Sequence, residues 1–255
     1  MKLRITSITN LISFLKRLKT VDRSVILEIT DDKLFSKVHT PDKSVMKYSS
    51  VMMSDVLEGE IDWKSVKSDR IKIGIVDVTR LVEAFKHFRP EEEVNIELSL
   101  TNSDGSCIAN EINLVSASLN IKLRCADLSL LSYVEDNILS MVHSKEDYVV
   151  NFRIYQSDFS TIISLCGLES NSEEILCFKV NEKNAHAIGE SFNYKLNIGS
   201  SEIMMESEEN SAPNIYKNQL SYMEQETCQV YVHENRLVLV SEQSSTSIAI
   251  GLVEK

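Results

Sequence analysis

Glycine and proline are scarce, at seven and three residues in a chain of 255. A phosphate-cradling loop needs glycine where backbone amides close on the anion, and no such loop is present; nor are G-x-S-x-G, H-E-x-x-H or an acidic calcium loop. Long apolar runs are missing as well. No stretch reaches the roughly 18 apolar residues of a membrane helix. Residues 1–20 lack the basic start, continuous apolar core and small-residue cleavage site of a secretory leader. The five cysteines, Cys107, Cys125, Cys166, Cys177 and Cys228, are odd in number, scattered and never spaced C-x-x-C. That pattern argues against a disulfide framework and a zinc site, and fits buried thiols. His39, His87, His143, His186 and His233 each stand without a second ligand at helical metal spacing. The acidic runs at 91–93 and 206–210 read as solvated turns rather than acid/base pairs. The sequence therefore predicts no metal, no cofactor and no enzymatic activity, in an intracellular protein.

What the chain does contain is one programme of elements used twice. "LISFLKRLKTVDRSVILEI" at 11–29 and "FSTIISLCGLESNSEEILCFKV" at 159–180 share an order: an apolar-periodic segment, a polar break, then a β-rich run containing Ile-Leu. In residues 7–20, Ile8, Leu11, Ile12, Leu15 and Leu18 recur at spacings of three and four, which predicts a helix capped by Thr6 or Ser7. "VILEIT", "KLFSKVHT" and "KSVMKYSSV" alternate across turns at Asp31-Asp32 and Pro41-Asp42, as antiparallel strands do. "DRIKIGIVDV" is another strand, and "DVTRLVEAFKHF" a second helix burying Val78, Leu81, Val82 and Phe85 before Pro90. "EVNIELSL", a run at 107–112 after an Asp104-Gly105 turn, and "SASLNIKL" complete the first half.

The second half follows suit. "YVVNFRIY" is a strand, residues 156–167 a helix, "EEILCFKV", "NAHAIGES" and "FNYKLNIG" strands, residues 214–224 a helix, and "CQVYVHE", "RLVLVSE" and "SIAIGLV" strands. Ile8, Leu11, Ile12 and Leu15 correspond to Phe159, Ile162, Ile163 and Cys166. Aligning the second helices places Val78, Val82 and Phe85 over Tyr216, Leu220 and Met223 but sets Leu81 over polar Gln219. Amphipathic helices and alternating strands recur by chance in any α+β chain. Here order, spacing and end points recur together, which argues for duplication. The expected organisation is an α+β chain with similar domains at 1–124 and 148–255, each with two helices packed on antiparallel sheets. Residues 125–147 form a connector between them, either a short helix through Leu128, Leu131, Ile138 and Val142 or an extended segment.

Charge is distributed unevenly. With 27 basic and 38 acidic residues the net charge is −11, which taken whole speaks against nucleic-acid binding. Yet residues 7–20 carry Lys16, Arg17 and Lys19 and no acid, and residues 79–89 carry Arg80, Lys86 and Arg89 against Glu83. Lys16, Arg17, Lys19, Arg80, Lys86 and, less strongly, Lys217 fall away from the buried stripes. The third helix presents uncharged Ser157, Ser160, Thr161 and Ser164 instead. Taken alone, exposed Lys and Arg on a helix are ordinary solvation.

The duplicated order, "IKLRCADLSLLSYVEDN" at the junction, "EDYVVNFRIYQSDFSTIISL" opening the second half and the terminal "SSTSIAIGLVEK" together resemble the DNA sliding clamps. These are the polymerase processivity factors, and the likeness is to the two-domain kind of eukaryotes, archaea and T4-like bacteriophages. At "ADLSLLSYVEDN" the resemblance is greater to the phage members, which would place the protein in a host cytoplasm. The resemblance implies a homotrimeric ring around double-stranded DNA, bound without regard to sequence, with DNA polymerase and a clamp loader as partners. It implies that the cations named above face the hole. It also implies peptide docking beside the connector and C-terminus, for which Leu130, Leu131, Val134, Leu252, Val253, Val38 and Val45 supply apolar surface. "SASLNIKL" and "FNYKLNIG" are the strands expected to pair between copies. The alternatives are a clamp-like scaffold that does not bind DNA, and a small-ligand enzyme, for which no convergent polar cleft can be assembled.

Overall fold

The computed structural model describes residues 1–89, 91–103, 105–168, 174–205 and 211–253. The expected helix stop at Pro90, the Asp104 side of the hairpin turn and the acidic run at 206–210 lie outside the described residues. The chain divides into two compact units, Met1–His39 with Tyr48–Val134, and Thr40–Lys47 with Glu135–Lys255. The expected connector is thus shared out, 125–134 with the first unit and 135–147 with the second. No helix among the described residues is long and apolar enough to cross a membrane.

The first unit contains β1 (Lys2–Ile5), α1 (Ile8–Lys19), β2 (Val25–Ile29), β3 (Lys33–His39) and the later part of β4 (Val45–Met52). There follow α2 (Met53–Val56), β5 (Leu57–Glu58), α3 (Trp63–Val66), β6 (Ile71–Ile75), α4 (Val78–Lys86), β7 (Asn95–Ser103), β8 (Ser106–Val115) and β9 (Asn120–Arg124). Its strands run in the order β3-β2-β6-β8-β7-β1-β5. Neighbours are antiparallel except for β6 and β8. One edge of β8 is used twice, by β6 at Cys107–Ala109 and by β9 at Glu111–Val115. Alternation sends Leu27, Ile73 and Leu114 to one face, where Phe14, Leu15 and Leu18 of α1 and Val78 and Phe85 of α4 cover them. Each such side chain, fully buried, contributes about 1.5–3 kcal/mol.

The second unit contains α5 (Asp136–Val142), β10 (Val150–Ile154), α6 (Gln156–Cys166), β11 (Ile175–Val180), β12 (Ala185–Ile188), β13 (Asn193–Lys195) and β14 (Met204–Met205). β15 (Asn214–Tyr216), β16 (Cys228–Val232), β17 (Arg236–Ser241) and β18 (Thr246–Gly251) complete it. Its strands form β14-β10-β16-β17-β18 and a smaller sheet β13-β12-β11-β15. Phe159 and Ile162 of α6 pack with Phe152, Phe178, Leu220 and Leu239 in its core. The helix expected over 214–224 is not formed. Asn214–Tyr216 is a strand paired with β11, and Lys217–Tyr222 winds as 3-10 turns. The polar interruption at Gln219 explains the difference: its side-chain oxygen accepts the Tyr216 N–H at 2.9 Å, so the chain turns tightly there rather than propagating an α-helix.

Candidate nucleic-acid interface and docking surface

In the first unit, the starts of α1 and α4, like that of the short α3, are fixed by side-chain caps. Ser7 Oγ accepts the Asn10 N–H at 3.2 Å to open α1, and Asp77 accepts the Thr79 N–H at 2.8 Å to open α4. The caps set where each helix begins, and the buried stripes decide what faces out. Lys16 and Lys19 are exposed on α1, Arg17 is half-buried there, and Arg80 and Lys86 are exposed on α4. The three α1 cations occupy the last turn, where they complement the negative end of the helix dipole. Lys86 holds Glu83 at 2.6 Å. Hydrogen bonding from Lys86 lowers the Glu83 carboxyl, and the charges of Lys86, His87 and Lys19 lower it further. The Asp77 carboxyl is lowered first by its bond from the Thr79 amide, with further help from Arg23 and Arg80. Lys19 thus belongs with the Glu83 end of α4, and Arg23 with its start. Arg23 is an exposed cation that the helical pattern missed, because it lies just past the end of α1. A surface of this kind has the charge that diffuse, sequence-independent phosphate contact requires.

Among the described residues, the helical segments of the second unit present no such group of cations. Ser157 and Ser164 are exposed on α6, while Ser160 and Thr161 are half-buried. Lys217 requires correction: it is 7% exposed and its ammonium lies 2.9 Å from Glu174 Oε2. The 3-10 turns place it on the inner side, where Glu174, just ahead of β11, supplies the counter-charge. A buried, paired lysine cannot serve as an outward phosphate contact.

Connector residues 125–134 are fastened to the outer face of the first unit's sheet. The Ala126 N–H donates to Gly74 O at 2.8 Å, and a Cβ at residue 74 would stand 2.5 Å from Ala126 O, so only glycine admits this approach. The Tyr133 ring centre lies 4.7 Å from Lys37 Nζ and 4.3 Å from Lys72 Nζ. Lys37 in turn pairs at 2.9 Å with fully buried Glu28, which also takes Arg70 at 3.0 Å. Leu130 is 82% exposed, and Leu131 is half-buried. Val38 and Val134 were expected to line a groove, but both are buried in this unit. They belong to packing, since strand alternation and the connector's own contacts turn them inward.

Residues 135–147 are fastened within the second unit. Arg236 donates to the carbonyls of Val142 and Met141 at 3.0 and 3.1 Å, satisfying the otherwise unbonded end of α5. His143 Nδ1 lies 2.9 Å from Ser247 Oγ. Burial, aided by the charge of Arg236, pushes the His143 imidazole down to about 4. Leu252 and Val253 are half-buried and held through their amides by Asn235 O and Asn214 O. Val45 is fully buried and is likewise a core residue rather than a groove residue. Ile138 and Met141, which the docking set omitted, are exposed on α5. Their three-residue spacing was the available signal.

Among the described residues β9 pairs with β8 alone and β13 with β12 alone, as do the sheet-end strands β5, β14 and β15 with one neighbour each; of these β9 and β13 are the runs expected to pair between copies. No cluster of three or more potential metal ligands occurs among the described residues. Burial raises the Cys107 thiol, and pushes those of Cys125 and Cys228 up to about 11 and about 12.

No protein-family model matches the chain, and no curated protein matches its sequence. Solved structures do match it from end to end. PCNA of A. fulgidus, determined with the C-terminal region of FEN-1 bound, aligns with a TM-score of 0.69 at 12% identity over 100% of this chain and 99% of that one. PCNA of Entamoeba histolytica aligns with a TM-score of 0.69 at 8% identity, over 99% and 98% of the two chains. The beta clamp of H. pylori gives 0.68 at 13% identity, over 100% of this chain and 64% of that one. At such identities the likeness is one of fold: the chain has the α+β sliding-clamp fold expected from its sequence.

Proposed function

We propose that this chain is a DNA sliding clamp, a ring that encircles duplex DNA and tethers a DNA polymerase and other replication proteins, with no catalysis of its own. The observation that carries the reading is the end-to-end match in fold to PCNA, over 100% of this chain and 99% of that one. Supporting it is the cationic face of α1 and α4 on a chain of net charge −11. Lys16, Arg17, Lys19, Arg80 and Lys86, joined by Arg23, are the proposed phosphate contacts. Copies of the chain, three in the proposed ring, join by pairing β9 of one with β13 of the next, and a clamp loader opens the ring onto DNA. The proposed repeated domains are 1–124 and 148–255, joined by a connector at 125–147, which differs from the division into compact units in the placement of 40–47 and of the connector itself. Peptide tails, of the kind that the A. fulgidus protein holds from FEN-1, dock on Leu130, Leu131, Leu252 and Val253.

The test is topological. Once loaded, the protein should stay on nicked circular DNA through a high-salt wash and run off when the circle is cut. Equal loss from circular and linear DNA would sink the reading and favour a scaffold that does not encircle DNA. Proline at Asn120 or Lys195 should leave monomers, because the proposed pairing loses a ladder donor. Removing Gly251–Lys255 should abolish binding of a polymerase C-terminal peptide while leaving the assembly intact, as calorimetry would show.

A further inference from the structure

The second unit contains a buried carboxylate with no part in DNA contact or peptide docking. Asp158 lies in the first turn of α6 and has no exposed surface. Burying a carboxylate is costly unless hydrogen bonds replace its lost water. Here they come from Tyr194 Oη at 2.7 Å, the Asn197 N–H at 3.0 Å and Asn197 Nδ2 at 2.6 Å. All of these donors lie within residues 194–197, a stretch that begins in β13 and ends just beyond it. The helix start adds a favourable dipole to the same carboxylate.

β13 needs such support. It is three residues long and bonds to β12 alone among the described residues. A strand that short, with a single neighbour, frays readily. Its inner side is held: Leu196 is buried, and its N–H donates to Ala185 O at 2.9 Å. The side chains of Asn193 and Lys195 are exposed, and among the described residues no strand takes the second backbone edge of β13. The clasp therefore orders a strand whose free edge faces away from its own sheet.

We propose that Asp158 is a positioning residue for self-assembly: by clasping Tyr194 and Asn197 it holds β13 extended, so that its open edge receives a strand from a second copy of this chain. The proposal rests on the clamp reading, in which copies close a ring. The strand received is β9, whose five residues likewise keep one unpaired edge. An edge ordered in advance loses less conformational freedom on pairing, and that saving appears as affinity between copies.

Sedimentation equilibrium on the full chain tests this, with thermal melting measured alongside. Asp158→Asn should weaken assembly at least about tenfold, the scale of one lost charge-assisted hydrogen bond. Tyr194→Phe, which leaves both Asn197 bonds, should shift assembly the same way by less. A matched control is Glu226→Gln, whose carboxylate accepts from Ser241 and Ser244 in the same unit; it should lower the melting temperature and leave assembly unchanged. Folded Asp158→Asn that assembles as the parent does overturns the clasp, even if it melts earlier. Should Asp158→Asn fail to fold, unchanged assembly of Tyr194→Phe overturns it instead. A parent chain that stays monomeric at every concentration overturns the clamp reading and the clasp together, whereas an assembling parent with indifferent variants overturns the clasp alone.

Discussion

The two units handle corresponding elements in opposite ways. In the first, α1 and α4 bury apolar stripes and present Lys16, Lys19, Arg80 and Lys86 to solvent. In the second, α6 buries Phe159 and Ile162 against the core, yet its outer residues are hydroxylic, and the cation of the following element, Lys217, is turned inward onto Glu174. A duplicated fold is held by its buried stripe, which leaves the outer positions free to diverge. Divergence here has concentrated positive charge in one unit. The two units therefore differ in what they can contribute to a polyanion, although both supply helical or near-helical surfaces.

The strongest way to break this comparison is to remove the charge. Changing Lys16, Arg17 and Arg80 together to Ala should lower the salt slope of DNA affinity by about 2.7, or roughly five-hundredfold in affinity at 0.1 M salt. The parallel change of Ser157, Ser160 and Ser164 to Ala should leave the slope where it was. Equal slopes for the parent and the Lys/Arg variant would end the claim that α1 and α4 meet phosphate. Lys217→Ala should do the reverse: a loss of about 1.5–3 kcal/mol in stability by urea titration, the scale of a hydrogen bond between charged groups, since the Lys217–Glu174 pair is lost, and no change in salt slope.

Acid should separate the units next. The histidines whose protonation burial opposes, His143 and His233, both lie in the second unit. His143 is depressed from an ordinary value near 6.5 to about 4. Its contribution is complete above pH 6.5, is lost as the pH falls because the unfolded chain takes the proton first, and levels off below about 4. The loss amounts to roughly 3 kcal/mol, so calorimetry between pH 7 and 4 should show the second unit's transition moving to lower temperature. His143→Gln should flatten that dependence, and an unaltered profile in the variant would remove His143 as its source. The smallest effect belongs to the first unit. Tyr133→Leu keeps apolar bulk but removes the ring from Lys37 and Lys72, which should cost the connector about 1 kcal/mol, measurable as faster proteolysis at 126–134.

The sequence showed most of the architecture. Long periodic segments such as Ile8–Lys19 and alternating runs such as Cys228–Val232 carry their period over enough residues to be read directly. β1, with four residues, and β5 and β14, with two each, are too short for a period to emerge. Residues 214–224 misled because an approximate apolar stripe survives there, while the Gln219 side chain bonds to the backbone. The candidate site was legible as far as helix faces decide it. Lys217, Val38, Val45 and Val134 depended on tertiary burial, and the Asp158 clasp joins residues more than thirty positions apart, which no local pattern encodes.

The bond between Ala126 and Gly74 has a consequence for how this surface can vary. It joins main chain to main chain, so no replacement at Leu130 or Leu131 removes it. Anchorage and the proposed recognition thereby rest on different atoms. Leu130 and Leu131, the proposed docking residues, can be exchanged without detaching the segment that carries them, provided residue 74 stays bare.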